Sequence, residues 1–328
     1  MTGRDGGPAP DEPETLLTLV LPAKFKARLG ELPGSARWYE TADEALELAE
    51  GCDVVWVSGF TSADVIGQIL QRSDRLKWFH YSSTGVDHLP LALFRERSVL
   101  FTNGAGLYAQ PIAEHVVMCV LAARLNLLGI LRAQAASTWI PEAESDQEVD
   151  GSVALILGYG ELGRAVATRL RGLGVSVLAS RRSGEVSSED GVTDAGAWRS
   201  RLPEIDFLIL TLPSTNETRG IIGSAELSRI KPGSWVVNVA RGSLVDEGAL
   251  LAALSSGQLG GAALDALPQE PLSPEHPLWR MPNVILSPHS SYRSWRLEER
   301  EAERFLGNLG NFIAQRPLRN VVDPEAGY

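Results

Sequence analysis

The sequence predicts an α/β protein of two domains, each built on a parallel sheet. Three observations point to it. The chain has 328 residues, enough for two domains of ordinary size. Short apolar runs alternate with amphipathic segments, the pattern of strands joined by helices that cover both faces of a sheet. A long apolar helical stretch and an acidic segment interrupt the alternation, which then restarts.

The elements follow in order. Met1 to Glu14 is polar and rich in Gly, Pro and acid, without the basic and apolar regions of a signal peptide. It reads as a disordered tail. Leu16–Leu21, Asp53–Val57, Lys77–Tyr81 and Val99–Thr102 read as strands, with helices over Ala42–Ala49, Ala63–Arg72 and Leu89–Arg95. One long apolar helix is expected from Pro111 to Ala135, entered through a proline near its first turn. Pro141 to Asp150 reads as a surface loop. Six further strands follow: Ser152–Leu157, Val175–Ala179, Ile205–Leu210, Ser234–Asn238, Ala262–Asp265 and Val284–Leu286. Six strands in this order suit a complete dinucleotide-binding sheet. A charged helix, Arg296 to Ile313, precedes a stretch from Pro317 to Tyr328 with little periodicity.

Composition narrows the function. The formal net charge is −11, which argues against non-specific nucleic-acid or anionic-membrane binding. No apolar run is long enough to span a bilayer. The two cysteines, Cys52 and Cys119, form no disulfide framework or zinc site. The cytoplasm is the expected compartment.

Gly158-Tyr159-Gly160-Glu161-Leu162-Gly163 is a G-x-G-x-x-G. The apolar run Val153–Leu157 leads into it, and Leu162, Val166, Leu170 and Leu173 follow at helical spacing. This strand–turn–helix context separates a phosphate loop from an ordinary glycine turn. Gly158 would permit the tight turn, Gly160 the approach of a pyrophosphate, and Gly163 close helix–strand packing. The next strand ends at Ser180-Arg181-Arg182. There, roughly 20 residues on, an NAD-binding sheet carries an acid for the ribose hydroxyls. An arginine cannot accept those bonds, but with its neighbours it can hold a 2′-phosphate. NADP is therefore the expected cofactor, with NAD as the alternative; a solvated basic turn is the competing reading of the arginines.

Beyond this point the chain resembles the D-isomer-specific 2-hydroxyacid dehydrogenases. Asn238-Val239-Ala240-Arg241-Gly242-Ser243-Leu244-Val245-Asp246 matches their arginine signature, Ala263-Leu264-Asp265 through Glu270-Pro271 the second, and Ser287-Pro288-His289 the third. Thr84-Gly85-Val86-Asp87 resembles their substrate loop, and Ala113-Glu114-His115 the start of their long helix. The resemblance implies a Rossmann-type dinucleotide-binding domain over 104–289 and a flavodoxin-like substrate domain over 15–103 with 290–328. It also implies a homodimer. Ser83, Thr84 and Gly85 would offer backbone amides to the substrate carboxylate, and Asp265 would lie near the nicotinamide. With the glycine loop, Ser180, Arg181 and Arg182, the cofactor contacts would include Leu212 and Ala240. Tyr81-Ser82-Ser83 and Ser290-Ser291-Tyr292-Arg293 depart from the small residues usual at those places.

The residue types fit the chemistry. Reduction of a 2-oxo acid needs a cation for the carboxylate, a proton donor for the carbonyl oxygen and a hydride source. Arg241 can clamp the carboxylate and polarise the carbonyl. An imidazole at His289 suits proton exchange near neutrality, and Glu270 would favour its protonated form. Arg241 as a surface ion-pair partner is the bland alternative. His80, His88, His115 and His276 read as structural or exposed, and Asp246 as a helix N-cap. The stretch Asp53 to Gln71 holds no Lys or Arg, which disfavours a phosphorylated substrate. Glyoxylate and hydroxypyruvate are the first candidates. The rival function is a non-enzymatic dinucleotide sensor on the same fold.

Overall fold

The structure, a computed structural model, describes residues 17–139, 148–181, the backbone of 192–193, and 197–327. The expected N-terminal tail, most of the acidic loop, and Arg182 lie outside the described residues. The chain divides into two units, Met1–Gly104 with Glu298–Gly327, and Ala105–Leu297.

The first unit runs β1 (Thr18–Pro22), α1 (Lys26–Leu29), β2 (Ser35–Tyr39), α2 (Ala42–Leu48), β3 (Val54–Val57), α3 (Ala63–Arg72), β4 (Trp78–Tyr81), α4 (Leu91–Glu96) and β5 (Leu100–Asn103), and is completed by α10 (Leu297–Ile313). Its five strands are parallel in the order β2-β1-β3-β4-β5. This is the flavodoxin-like arrangement. Strands β3 and β4 are buried on both faces, as apolar runs in a covered parallel sheet should be. One face packs against α2, α3 and α4, the other against α10. Helix α10 buries Ala302, Phe305 and Leu309, spaced to share one side. Phe25 stacks on Trp56 at 4.2 Å, and Phe305 stacks on Trp56 and Trp78 at 4.5 and 5.1 Å.

The sequence reading missed β2. Ser35-Ala36-Arg37-Trp38-Tyr39 has no continuous apolar run, because an edge strand pairs with a single neighbour and tolerates polar residues. The aperiodic C-terminal stretch is not idle either. Val321 bridges Thr102 antiparallel, and Val322 is buried in the core.

The second unit comprises α5 (Ala109–Arg124), α6 (Leu127–Ala135), β6 (Val153–Leu157), α7 (Glu161–Arg171), β7 (Ser176–Ser180), β8 (Val192–Thr193), β9 (Phe207–Leu210), α8 (Ser224–Leu227), β10 (Ser234–Asn238), α9 (Glu247–Ser255), β11 (Leu259–Leu264) and β12 (Val284–Leu286). All strands are parallel, in the order β12-β11-β10-β9-β6-β7-β8. This is the Rossmann order with β12 added at one edge; β8, at the other edge, is the strand the sequence did not show, so the sheet has seven strands where six were expected. The strand order reverses between β6 and β9, and open α/β sheets bind ligands beyond the strand ends at such a reversal. Helices α5 and α7 cover one face, α9 the other.

The expected single helix over 111–135 is two helices, bent by 68°. Asn126 breaks it. Its backbone turns left-handed (φ +49°) and its side chain accepts from the Gly129 amide, starting α6 afresh. No single helix among the described residues is long and apolar enough to cross a membrane.

His80, in the middle of β4, is fully buried, with Nδ1 2.9 Å from Thr102 Oγ1. Burial, reinforced by the charge of Arg304, pushes its pKa down from 6.5 to about 3. Between those values the unfolded chain binds a proton that the fold rejects. The stabilisation is therefore complete above pH 6.5 and lost as pH falls toward 3. Urea titrations from pH 7 to pH 4 should show stability falling by up to about 1.4 kcal/mol per pH unit from this group. In His80→Phe that component of the slope should vanish; an unchanged slope would refute it.

Candidate active site

The turn after β6 shows why its glycines are needed. Gly158 has φ +100°, and a Cβ there would lie 2.6 Å from the Leu212 amide nitrogen. At Gly163 a Cβ would lie 2.1 Å from the Gly158 carbonyl oxygen. Around Gly160, at the N-terminus of α7, no atom of the other described residues beyond its own helix and neighbours lies within 4 Å of that position, so the backbone is open to a ligand. The loop borders a cavity of about 610 Å³. Gly158, Gly160, Ser180, Arg181 and Leu212 line it, five of the cofactor residues read from sequence. Glu161, Leu162, Gly163 and Ala240 do not line it. Glu161 begins α7 against Gly106, Leu162 and Ala240 pack with the core, and Gly163 supports the turn. Sequence reasoning missed Trp198, Arg199 and Thr211, which also line the cavity. Thr211 follows β9 at the strand-order reversal, a signal that was available.

Arg241 lies three residues beyond β10. Asn238, buried at the strand end, fixes that turn: its Nδ2 donates to the Arg241 carbonyl at 2.9 Å, and its Oδ1 accepts from the Ala240 amide at 3.1 Å. The next residue must be glycine, since a Cβ on Gly242 would lie 2.0 Å from the Leu267 carbonyl carbon. Arg241 is half-buried, and its Nη1 donates to the Ala240 carbonyl at 2.8 Å. Asp246 caps α9, accepting from the Ala249 amide at 2.7 Å.

His289 and Glu270 meet across the loops after β12 and β11. His289 Nδ1 lies 2.8 Å from Glu270 Oε2, while Glu270 Oε1 accepts from the Leu267 amide at 2.9 Å. Both side chains are about 40% exposed (40% and 38%), so the imidazole has one nitrogen engaged and an open side. His289 itself has φ +48°, costly for a residue with a Cβ and sustained only by its surroundings.

Those surroundings are Asp265. It is 2% exposed, and accepts from the Ser287 and Ser291 hydroxyls and the Ser290 and Ser291 amides. Burial alone would raise its pKa, but these donations outweigh burial and hold the carboxyl below its ordinary range. Ser287 Oγ also lies 3.4 Å from His115 Nε2. His276 caps a short 3₁₀ turn and pairs with Glu247 at 3.2 Å.

In the first unit, Ser83-Thr84-Gly85 follows β4. Asn103 Nδ2 donates to the Thr84 carbonyl at 2.9 Å, and the Gly104 amide to the Ser83 carbonyl at 2.9 Å. The carbonyls are thus tied down. The amides of Ser83, Thr84 and Gly85 donate to no acceptor among the described residues. Phe60, in the neighbouring loop after β3, is 87% exposed.

Residues 117–291 match the model of the D-isomer specific 2-hydroxyacid dehydrogenase, NAD binding domain. A glycerate dehydrogenase of Methylorubrum extorquens is 29% identical over 86% of this chain and 89% of its own. A glyoxylate reductase of Korarchaeum cryptofilum is 28% identical over 96% and 97%. The crystal structure of an NADPH-dependent glyoxylate/hydroxypyruvate reductase from Sinorhizobium meliloti, in complex with NADP and sulfate, is similar with a TM-score of 0.81. It is 27% identical and the match covers 95% of this chain and 100% of that one.

The crowding at Gly242 makes a direct test of how Arg241 is held. Gly242→Ala should lower stability by about 1–3 kcal/mol, the usual cost of overpacking. Gly248→Ala, where a Cβ meets only Asp246 Oδ1 at 3.5 Å, should leave stability unchanged or raise it by about 0.5–1 kcal/mol. Chemical denaturation of both variants checks this, and a neutral Gly242→Ala would contradict the packing.

Proposed function

Because the chain belongs to the D-isomer-specific 2-hydroxyacid dehydrogenase family, we propose that it is a reductase of small 2-oxo acids in which Arg241, Glu270 and His289 do the chemistry. The observation that carries the reading is the 2.8 Å contact between His289 Nδ1 and Glu270 Oε2. The carboxylate fixes the ring, leaving Nε2 to exchange a proton with the substrate. Arg241 receives the substrate carboxylate and polarises the adjacent carbonyl. Ser83, Thr84 and Gly85 are assigned to anion binding on their undonated amides. A bound nicotinamide dinucleotide supplies the hydride. In the oxidative direction His289 takes the hydroxyl proton back.

The glycine turn, the open backbone at Gly160 and the adjoining cavity fit such a cofactor. Arg181 beside Ser180 favours NADP(H) over NAD(H), with Arg182 assigned the same role from sequence. Asp265 is assigned beside the nicotinamide, in addition to its hold on the His289 loop. An uncharged 2-oxo acid such as glyoxylate or hydroxypyruvate suits a first unit whose residues 53–71 lack any cation and whose loop presents Phe60. A homodimer is favoured by the exposed apolar side chains Met118, Leu125, Leu127, Ile130, Leu131 and Trp139 on and beyond α5 and α6. The two cysteines are buried thiols, which fits a cytoplasmic setting.

His289→Ala should lower turnover about 10²–10⁴-fold with little change in KM. Arg241→Ala should raise KM for the 2-oxo acid as well as lowering turnover. Glu270→Gln should lower turnover with little change in KM, because the neutral amide holds the imidazole less firmly than the carboxylate. Near-native turnover in folded His289→Ala would remove the histidine from the mechanism. Phosphohydroxypyruvate emerging as the best substrate in a competition assay would overturn the substrate class.

For the cofactor, Arg181→Asp should weaken NADPH by about tenfold or more, the value of a charge-assisted hydrogen bond. Equal catalytic efficiency of the native protein with NADH and NADPH would overturn the preference.

A further inference from the structure

Arg199 lines the same cavity as Ser180 and Arg181, but comes from a different part of the chain, the 3₁₀ segment that precedes β9. Its guanidinium is held on two sides. Nε donates to Glu226 Oε1 at 2.8 Å, and the group lies over the Trp198 ring, 4.3 Å from its centroid. Trp198 is buried in the core of the second unit. Glu226 is itself anchored, with Oε2 accepting from the Gly223 amide at 3.2 Å. Burial would raise the Glu226 carboxyl, but the donations from Arg199 and the backbone outweigh it and keep it ionised at neutral pH. The two Nη nitrogens of Arg199 donate to no protein acceptor among the described residues. A guanidinium has five N–H donors in one plane. One is committed to the protein, and four remain on a fork whose orientation is already fixed.

We propose that Arg199 is a cofactor-specificity residue, its preset guanidinium receiving the 2′-phosphate of NADP(H) alongside Arg181. This rests on the reading that the cavity takes a nicotinamide dinucleotide with a preference for NADP. The chemistry selects the phosphomonoester over the rest of the cofactor. A planar fork with two free nitrogens matches phosphate oxygens bidentately, and one face of the plane is taken by Trp198, which limits stacking. Fixing the fork beforehand lowers the ordering cost of binding. Glu217 also borders the cavity, so a dianion there calls for more than one cation. An arginine serving only to tie the 3₁₀ segment to α8 would show no dependence on the 2′-phosphate.

The test is calorimetric binding of 2′,5′-ADP and 5′-AMP, two fragments that differ in the 2′-phosphate and need no turnover. Wild type should bind 2′,5′-ADP much more tightly. Arg199→Met should weaken 2′,5′-ADP about tenfold or more and leave 5′-AMP within about twofold. Arg199→Lys, which keeps the charge and loses the fork, should fall between, and it serves if the methionine variant melts early. Equal losses for both fragments, or none, in either variant would overturn the assignment. Arg181→Asp losing the discrimination while Arg199→Met keeps it would overturn this inference and leave the NADP reading standing. Wild type binding both fragments equally would overturn both.

Discussion

A buried carboxylate decides where His289 stands. Asp265 immediately follows β11 and gathers the chain on both sides of the histidine, through Ser287 before it and Ser290 and Ser291 after it. Burying an ionised carboxylate without donors costs far more than one domain can spare. With four donors the same burial becomes a constraint: the loop closes in one way, and His289 takes a left-handed backbone conformation. That conformation sets the imidazole against Glu270, whose other oxygen is fixed by the Leu267 amide. Leu267 is also the residue against which Gly242 packs. The loops after β10, β11 and β12 therefore hold one another, and Arg241, Glu270 and His289 inherit their positions from that contact.

The same physical device starts both sheets. Asp53, immediately before β3, accepts from the Thr18 amide at the start of β1 at 3.0 Å, with Arg75 and Lys77 beside it. Asp206, immediately before β9, accepts from the Val153 amide at the start of β6 at 2.8 Å, with Lys231 and Arg124 beside it. Each aspartate spans two adjacent strands at the point where the strand order reverses. Each satisfies an amide that would otherwise end its strand unpaired. Burial would raise the Asp206 carboxyl; the bonds from Lys231 and Val153 outweigh it. These anchors sit at the strand starts, leaving the opposite ends to the loops of the candidate site.

Residues whose role is local were legible in the sequence. The glycine turn after β6, the cap at Asp246 and the apolar strands all show in consecutive positions. The Glu270–His289 contact was legible through the resemblance of its motifs, because nineteen residues separate the pair. What escaped was set by non-local packing. Strand β2 is polar because an edge needs little burial. The bend at Asn126 depends on a left-handed residue inside an otherwise uniform apolar run. Asn238 looks like a polar end to a strand until the Arg241 turn folds back onto it. Arg199 belongs to no recognisable motif, and acquires meaning only through Trp198, Glu226 and the cavity they border.

Hydride transfer, as opposed to mere dinucleotide sensing, is the activity that membership of the family implies. Mass spectrometry of the product measures it most directly. The protein is incubated with glyoxylate and NADPH carrying deuterium at both C4 positions of the reduced nicotinamide, and the glycolate is analysed. Hydride transfer gives glycolate with one deuterium bound to C2, formed in proportion to enzyme and cofactor consumed. Unlabelled glycolate, or cofactor bound with no product from glyoxylate, hydroxypyruvate or a branched 2-oxo acid, would contradict it.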